Sequence, residues 1–321
     1  MKINVRMLTA AALVALSAAA YLLLDDKGGG AAGDGNVDGS IELYDQVGSS
    51  AQGTPVPSSS QRKSESQQPR VMEMPAPLNG KKEILMKRTG YSVSYNKDTK
   101  LPNWVAWHLT AAHTKGRNYR DGLMFEEDGE VPSPRATDYD YSRSRYDRGH
   151  MCPSGDNKWD KNAQRQSFLL TNVCPQNHEL NKGDWNDLEM QCREWAKQMG
   201  DIYVVAGPVF YNGVKKTIGR NKVAVPDAFF KVVMHDGRKA KAIGFIYPNA
   251  EGHKNMAEYV KSVDDVERIT GLDFFPKLDD EVEDRIEAAG KNTSVKEWGV
   301  GRMNFDKHPD KYPDKFRSHR K

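Results

Sequence analysis

Apolar and polar positions along this chain change period several times, and each change marks an expected element. Tyr91-Ser92-Val93-Ser94-Tyr95 alternates with period two, and Trp104-Val105-Ala106-Trp107-His108-Leu109 reads as a second strand. Phe168-Leu169-Leu170-Thr171 is a short apolar run leading into Asn172. From Asp184 to Met199 the period becomes helical. Trp185, Leu188, Cys192, Trp195 and Met199 recur on one face, and Glu189 and Arg193 share an adjacent polar face. Strands resume over 202–205, 224–234 and 240–247. Ser262-Val263-Asp264-Asp265 has the form of a capping box opening a short helix. The pattern predicts an α+β fold in which helices pack on a central, mostly antiparallel sheet.

The two ends differ from this middle. Lys2 and Arg6 precede a stretch from Met7 to Leu24 without a charged residue, rich in Ala and Leu. Residues 1–24 therefore read as a signal peptide or an uncleaved signal anchor. Ser17-Ala18-Ala19-Ala20 supplies small residues for cleavage, whereas Tyr21-Leu22-Leu23-Leu24 extends the run toward spanning length, and both fates stay open. Either places the protein outside the cytoplasm, as a secreted, periplasmic or membrane-anchored chain that meets a membrane only through this segment. Residues 25–80, with Gly28-Gly29-Gly30, Ser58-Ser59-Ser60 and Gln67-Gln68, form an expected linker too poor in apolar surface to fold. The folded domain is expected over 81–290, long enough for one buried core, followed by a basic tail over 291–321.

Bulk charge adds little. The chain of 321 residues carries 47 basic and 44 acidic side chains, a net of +3, so a polyanion partner would need local clustering of arginines. Three cysteines cannot all pair within one chain. Cys174 and Cys192 could form a disulfide, or Cys152, Cys174 and Cys192 could all be small buried hydrophobes. A zinc site from these cysteines with His178 lacks a close-pair spacing.

The candidate chemistry lies between residues 147 and 193. Asp147-Arg148-Gly149-His150 is followed by Asn172-Val173-Cys174-Pro175-Gln176, then by Asn181, Glu189 and Arg193. A neutral imidazole can take a proton from water near neutral pH. A hard divalent cation prefers oxygen ligands, and magnesium keeps most of its waters, so one or two protein oxygens suffice to hold it. Arginine forks match phosphate oxygens. Together these groups suit cleavage of a phosphodiester with one metal ion.

At these residues the chain resembles the DNA/RNA non-specific endonucleases, the ββα-metal or His-Me finger nucleases of endonuclease G-like type. The resemblance rests on the DRGH tetrapeptide at 147–150, the Asn-x-x-Pro-Gln stretch at 172–176, Asn181, and Trp185-Asn186-Asp187-Leu188-Glu189. Upstream, Asn103 to Trp107 and Arg117-Asn118-Tyr119 fit; downstream, Tyr203 to Pro208 and Thr270 to Phe275 fit. The match covers roughly residues 85–285.

The resemblance implies a largely sequence-non-specific endonuclease acting on DNA and possibly RNA. In that reading His150 is the general base and Asn181 the direct ligand of one Mg2+, replaceable by Mn2+. Asn near a helix start also suits capping, an alternative role for Asn181. Glu189 holds water around the metal, or else forms only a surface pair with Arg193. Arg117, Arg148 and Arg193 are the expected phosphate contacts, with Arg120 or Arg135 as alternatives to Arg117. Asp147 anchors the turn, Gly149 permits backbone torsions that a side chain would hinder, and Asn172 organises the loop. Trp159 and Trp185 could stack on bases, although Trp185 falls on the apolar helix face. His108, His113 and His178 are read as non-catalytic. The 306–316 repeat is a solvated tail or an auxiliary nucleic-acid arm. The competing reading is a catalytically silent nucleic-acid-binding module.

Overall fold

The computed structural model describes residues 73–78, 80 and 83–301. The apolar segment at 7–24, most of the expected linker and the 306–316 repeat lie outside the described residues. Among the described residues no helix is long and apolar enough to cross a membrane.

The centre is a seven-stranded sheet. Its strands are β1 (Ile84–Lys87), β2 (Ser92–Asn96), β3 (Leu101–Thr110), β6 (Asp201–Val209), β9 (Ala228–His235), β10 (Lys241–Pro248) and β11 (Val260–Lys261), in the order β1-β2-β3-β6-β9-β10-β11. Every neighbouring pair runs antiparallel. Two short ribbons stand apart from it: β4 (Asp147–His150) with β5 (Val173–Gln176), and β7 (Thr217–Ile218) with β8 (Val223–Ala224). The helices are α1 (Asp138–Tyr141), α2 (Lys161–Gln166), α3 (His178–Lys182), α4 (Asp184–Met199), α5 (Val263–Thr270), α6 (Asp280–Glu287) and α7 (Lys291–Trp298). The architecture is the expected α+β.

Both faces of the sheet are covered, so its middle strands are buried almost throughout. On one face Val105, Trp107, Val204, Phe229, Val233 and Phe245 pack with Trp185, Leu188, Cys192 and Trp195 of α4. On the other, Trp104, Ala106, Val205, Phe230 and Val232 pack with Val263 and Val266 of α5, Phe274, Phe275, and Ile286 of α6. The apolar stripe of α4 is the one its spacing predicts, and Gly200 ends the helix at a positive φ of 96°. Ser262 caps α5 by accepting from the Asp265 amide at 3.1 Å.

Several expected boundaries move. The run from Ala224 to Met234 is not one strand: Pro226 has no N–H to donate, so Val223–Ala224 pairs in the small ribbon and the sheet strand starts at Ala228. The expected tail begins with a packed helix, because Trp298 meets Trp195 edge to face at 4.8 Å and its carbonyl accepts from the Trp195 indole. Folded structure also starts before residue 81, where Met74 and Leu78 pack on the second face. The Cys174–Cys192 disulfide does not form; all three cysteines are free and buried.

Candidate active site

The site is built on a strand–strand–helix unit. The DRGH segment is β4, paired antiparallel with β5 so that Asp147 faces Gln176 and His150 faces Val173. Helix α3 follows at once. Its N-cap is Asn177, whose side chain accepts from the amides of Glu179 and Leu180 at 2.9 and 3.2 Å. Asn181 is therefore not needed for capping and lies in the following turn, half-buried. Helix α4 then carries Asn186 and Glu189 three residues apart on one face.

These elements enclose a cleft of about 450 Å³ lined by Arg120, Phe125, Asp147, Arg148, His150, Asn181, Lys182, Asn186 and Glu189. Five expected residues thus meet in one place: Asp147, Arg148, His150, Asn181 and Glu189. The Asp147 carboxylate accepts from the Asn181 side-chain amide at 2.9 Å, and the same oxygen lies 2.8 Å from Nδ1 of His178. Asp147 does more than anchor a turn, since it turns the Asn181 carbonyl away from itself. The His150 ring sits against Phe125 and Phe168, each with a centroid separation of 5.0 Å, and its Nε2 is buried without a hydrogen-bond partner. Burial first, and the Arg120 charge second, push its pKa down to about 3, so the imidazole is neutral at ordinary pH. Burial pushes Glu189 up to about 7 against the lowering charges of Lys231, Arg193 and Arg120, with Asp156 acting in the raising direction.

Other expected residues have different places. Arg117 stacks on Tyr119, 5.8 Å from its ring centre, and does not line the cleft. Arg120, with its guanidinium 5.8 Å from the centre of the Phe168 ring, lines the cleft instead. Arg193 is not an open phosphate contact: its guanidinium is held at 2.8 Å by the fully buried Asp156, which leaves the side chain 19% exposed. Arg148 does face the cleft, steadied by Asp138, whose carboxylate lies 2.5 Å from Nε and whose carbonyl accepts from Nη2 at 2.8 Å. Arg135 pairs with Glu127.

Gly149 is required for close approach, not for torsion. It lies in regular strand, and a Cβ there would fall 2.1 Å from Oε1 and 2.6 Å from Cβ of Gln176. Asn172 is buried between two loop segments: its amide donates to the carbonyls of Cys152 and Ser167, and its oxygen accepts from the Cys152 amide. Trp185 is core, and its indole donates to the His150 carbonyl at 3.2 Å. Trp159 is partly exposed and stacks on His113 at 4.7 Å.

Sequence reasoning offered Arg120 only as an alternative to Arg117, and it missed Phe125, Asn186 and Lys231. Asn186 was findable from its three-residue spacing to Glu189. Lys231 was signalled by a lone charge inside the apolar run of β9; it is wholly buried with its ammonium 4.2 Å from the centre of the Trp185 ring.

A two-stranded ribbon feeding a short helix, with His, Asn and Glu facing one cleft, defines the site as of the ββα-metal type. The profile of the DNA/RNA non-specific endonuclease family matches residues 67–281, and the chain belongs to that family. A mitochondrial nuclease EXOG of Danio rerio is 40% identical over 206 residues, covering 59% of this chain and 60% of the relative. Nuclease C1 of Cunninghamella echinulata is 38% identical over 210 residues, covering 60% of this chain and 83% of the relative. In the crystal structure of an EndoG/EndoGI complex, a chain 28% identical superposes with a TM-score of 0.58, covering 61% of this chain and 87% of that one. The chain thus spans less than two thirds of the EXOG relative's length.

Proposed function

We propose that the protein is a metal-dependent, largely sequence-non-specific endonuclease that hydrolyses phosphodiester bonds in DNA and RNA. One observation carries this reading: His150, neutral and with a buried, partnerless Nε2, lines the same cleft as Asn181, whose amide nitrogen is already engaged by Asp147. The family membership and the nuclease names of the relatives support it.

The donor set fits a hard divalent cation. The Asn181 carbonyl would bind it directly, and Glu189 would accept hydrogen bonds from the water around it. Magnesium, with manganese as substitute, would neutralise charge on the scissile phosphate and on the departing 3′ oxygen. The remaining steps fall to the chain itself. His150 Nε2 takes a proton from water, the water oxygen bonds to phosphorus, and the bond to the 3′ oxygen breaks. Arg148 and Arg120 hold the non-bridging oxygens. An incoming phosphate also offsets the Arg120 charge beside the imidazole, which makes His150 more basic when substrate is bound. Few contacts to bases are needed because the chemistry addresses the backbone, so both sugars are tolerated. The charge-free stretch from Met7 to Leu24 supports export, with the enzyme secreted, periplasmic or anchored.

The test is digestion of plasmid DNA and of total RNA with magnesium, with and without excess chelator. Cleavage of both that stops in chelator is the expected result. Cleavage that continues in chelator would remove the metal from the account. Salt-sensitive binding without cleavage under any divalent ion would instead favour a silent binding module.

A further inference from the structure

The face of the sheet opposite the cleft carries a second cluster of oxygen donors. Asp264 and Glu267 on α5 and Glu287 at the end of α6 each place a carboxylate oxygen within 4.8 Å of the others. Asp264 is exposed and Glu267 half-buried, whereas Glu287 is only 6% exposed. Oε1 of Glu287 is buried and has no hydrogen-bond partner. Glu267 is held in place from the other side, since it accepts from the Phe274 amide at 2.8 Å.

A buried carboxylate beside two others is costly unless something compensates it. Burial, together with the charges of Glu267, Glu283, Asp264 and Asp273, pushes the Glu287 carboxyl up to about 9. Glu283, on the same helix, is pushed up to about 7 by burial and acidic neighbours. Either a proton or a cation could relieve this concentration of acids. Geometry favours the cation: two oxygens on one calcium ion, each at about 2.3–2.6 Å, can lie up to about 5 Å apart, and all three carboxylate oxygens fall within 4.8 Å of one another. Calcium also accepts the irregular, carboxylate-rich shell that three side chains from two helices supply, whereas magnesium demands near-ideal octahedral geometry. The half-exposed side of the cluster leaves room for the waters that complete a calcium shell.

We propose that Asp264, Glu267 and Glu287 form a structural calcium site that ties α5 to α6 on the face of the sheet remote from the catalytic cleft. Its occupant acts on stability and not on the cleavage chemistry, so the proposal stands apart from the nuclease reading.

The experiment is thermal unfolding of the full chain at pH 7.5, in chelator and across a calcium titration. Wild type is compared with Glu287→Gln and Asp264→Asn. Asp264 is exposed, so its variant keeps the test valid if Glu287→Gln fails to fold. The expected result is a saturable rise in midpoint of about 5–10 °C for wild type at a hundredfold excess over the dissociation constant. That rise should be at least halved in each variant that folds, with plasmid cleavage in magnesium unchanged. An equal rise in all proteins would assign calcium to another site and overturn the proposal. Absence of any rise in wild type, with Glu287→Gln more stable in chelator, would mean that a shared proton holds the cluster, and would overturn it too.

Discussion

Asn181 donates its side-chain amide to the Asp147 carboxylate across 2.9 Å, joining the first residue of the DRGH strand to the helix that follows the ribbon. The bond fixes which end of the amide is nitrogen, and so which way the carbonyl oxygen faces. With Asn181 as the proposed metal ligand, Asp147 is its orienting partner, and ligands lose affinity when such partners are removed. For Asp147→Ala the expected outcome is a magnesium requirement raised about 10–100-fold, with much of the rate recovered at saturating metal. Activity measured across a magnesium titration checks it. A variant with an unchanged metal requirement and a lower plateau would make Asp147 part of the chemistry itself.

The arginines separate by placement. Arg120 lines the cleft and acts electrostatically on both His150 and Glu189, while Arg117 lies against Tyr119 outside it. Arg120→Ala should lower kcat/KM by about 100-fold or more, the loss of a charge-assisted phosphate contact worth about 3 kcal/mol. Arg117→Ala should change it only a few-fold. Steady-state kinetics on a defined duplex decides between them, and the reverse ranking would restore Arg117 to the site.

Arg193 should report on folding. Its partner Asp156 is buried and also accepts from the Trp107 indole at 3.1 Å, so removing the guanidinium strands a carboxylate in the core. Arg193→Ala is expected to cost about 3–5 kcal/mol of stability. Urea unfolding measures this directly. A variant as stable as wild type but inactive would make Arg193 a substrate contact after all.

The pH dependence follows from opposite shifts. His150 is depressed to about 3, so it stays neutral throughout the working range and sets no acid limb there. Glu189 is raised to about 7, so without metal it takes up a proton as pH falls through that value. A cation favours its ionised form. The acid limb of activity should therefore belong to Glu189 and move to lower pH as magnesium increases, as pH–rate profiles at two metal concentrations would show. The stability terms have opposite signs. The buried neutral His150 contributes stability that is complete above the unfolded value near 6.5 and is lost progressively toward about pH 3. Glu189 binds its proton more tightly when folded, so in chelator its contribution declines as pH rises from about 4.5 to 7. A limb that ignores magnesium would contradict the assignment.

Much of this arrangement is legible in the residues. The stripe of Trp185, Leu188, Cys192 and Trp195 is a local period, and it fixes both the helix and the face that buries. His150, Asn181 and Glu189 are brought together by elements close in sequence, so order and spacing suffice to group them. The surroundings of Arg117 and Arg193 are not legible in the sequence, because an arginine's place depends on which carboxylate or ring it meets after folding, and Asp156 lies 37 residues from Arg193. Gly149 carries no turn signal, since its requirement comes from Gln176 across the ribbon. The strand break at Pro226 was masked by the apolar residues on either side. The helix at Lys291–Trp298 is hidden by its polar composition, because its contribution to the core is Trp298 with Val295 partly buried beside it.

The central claim is that the neutral imidazole of His150 generates the nucleophile. The most direct measurement is single-turnover cleavage of a DNA duplex by wild type and His150→Ala at saturating magnesium, with duplex affinity measured in parallel. The account expects a rate lower by about 10²–10⁴-fold with affinity essentially unchanged. Wild-type turnover by the alanine variant would contradict it.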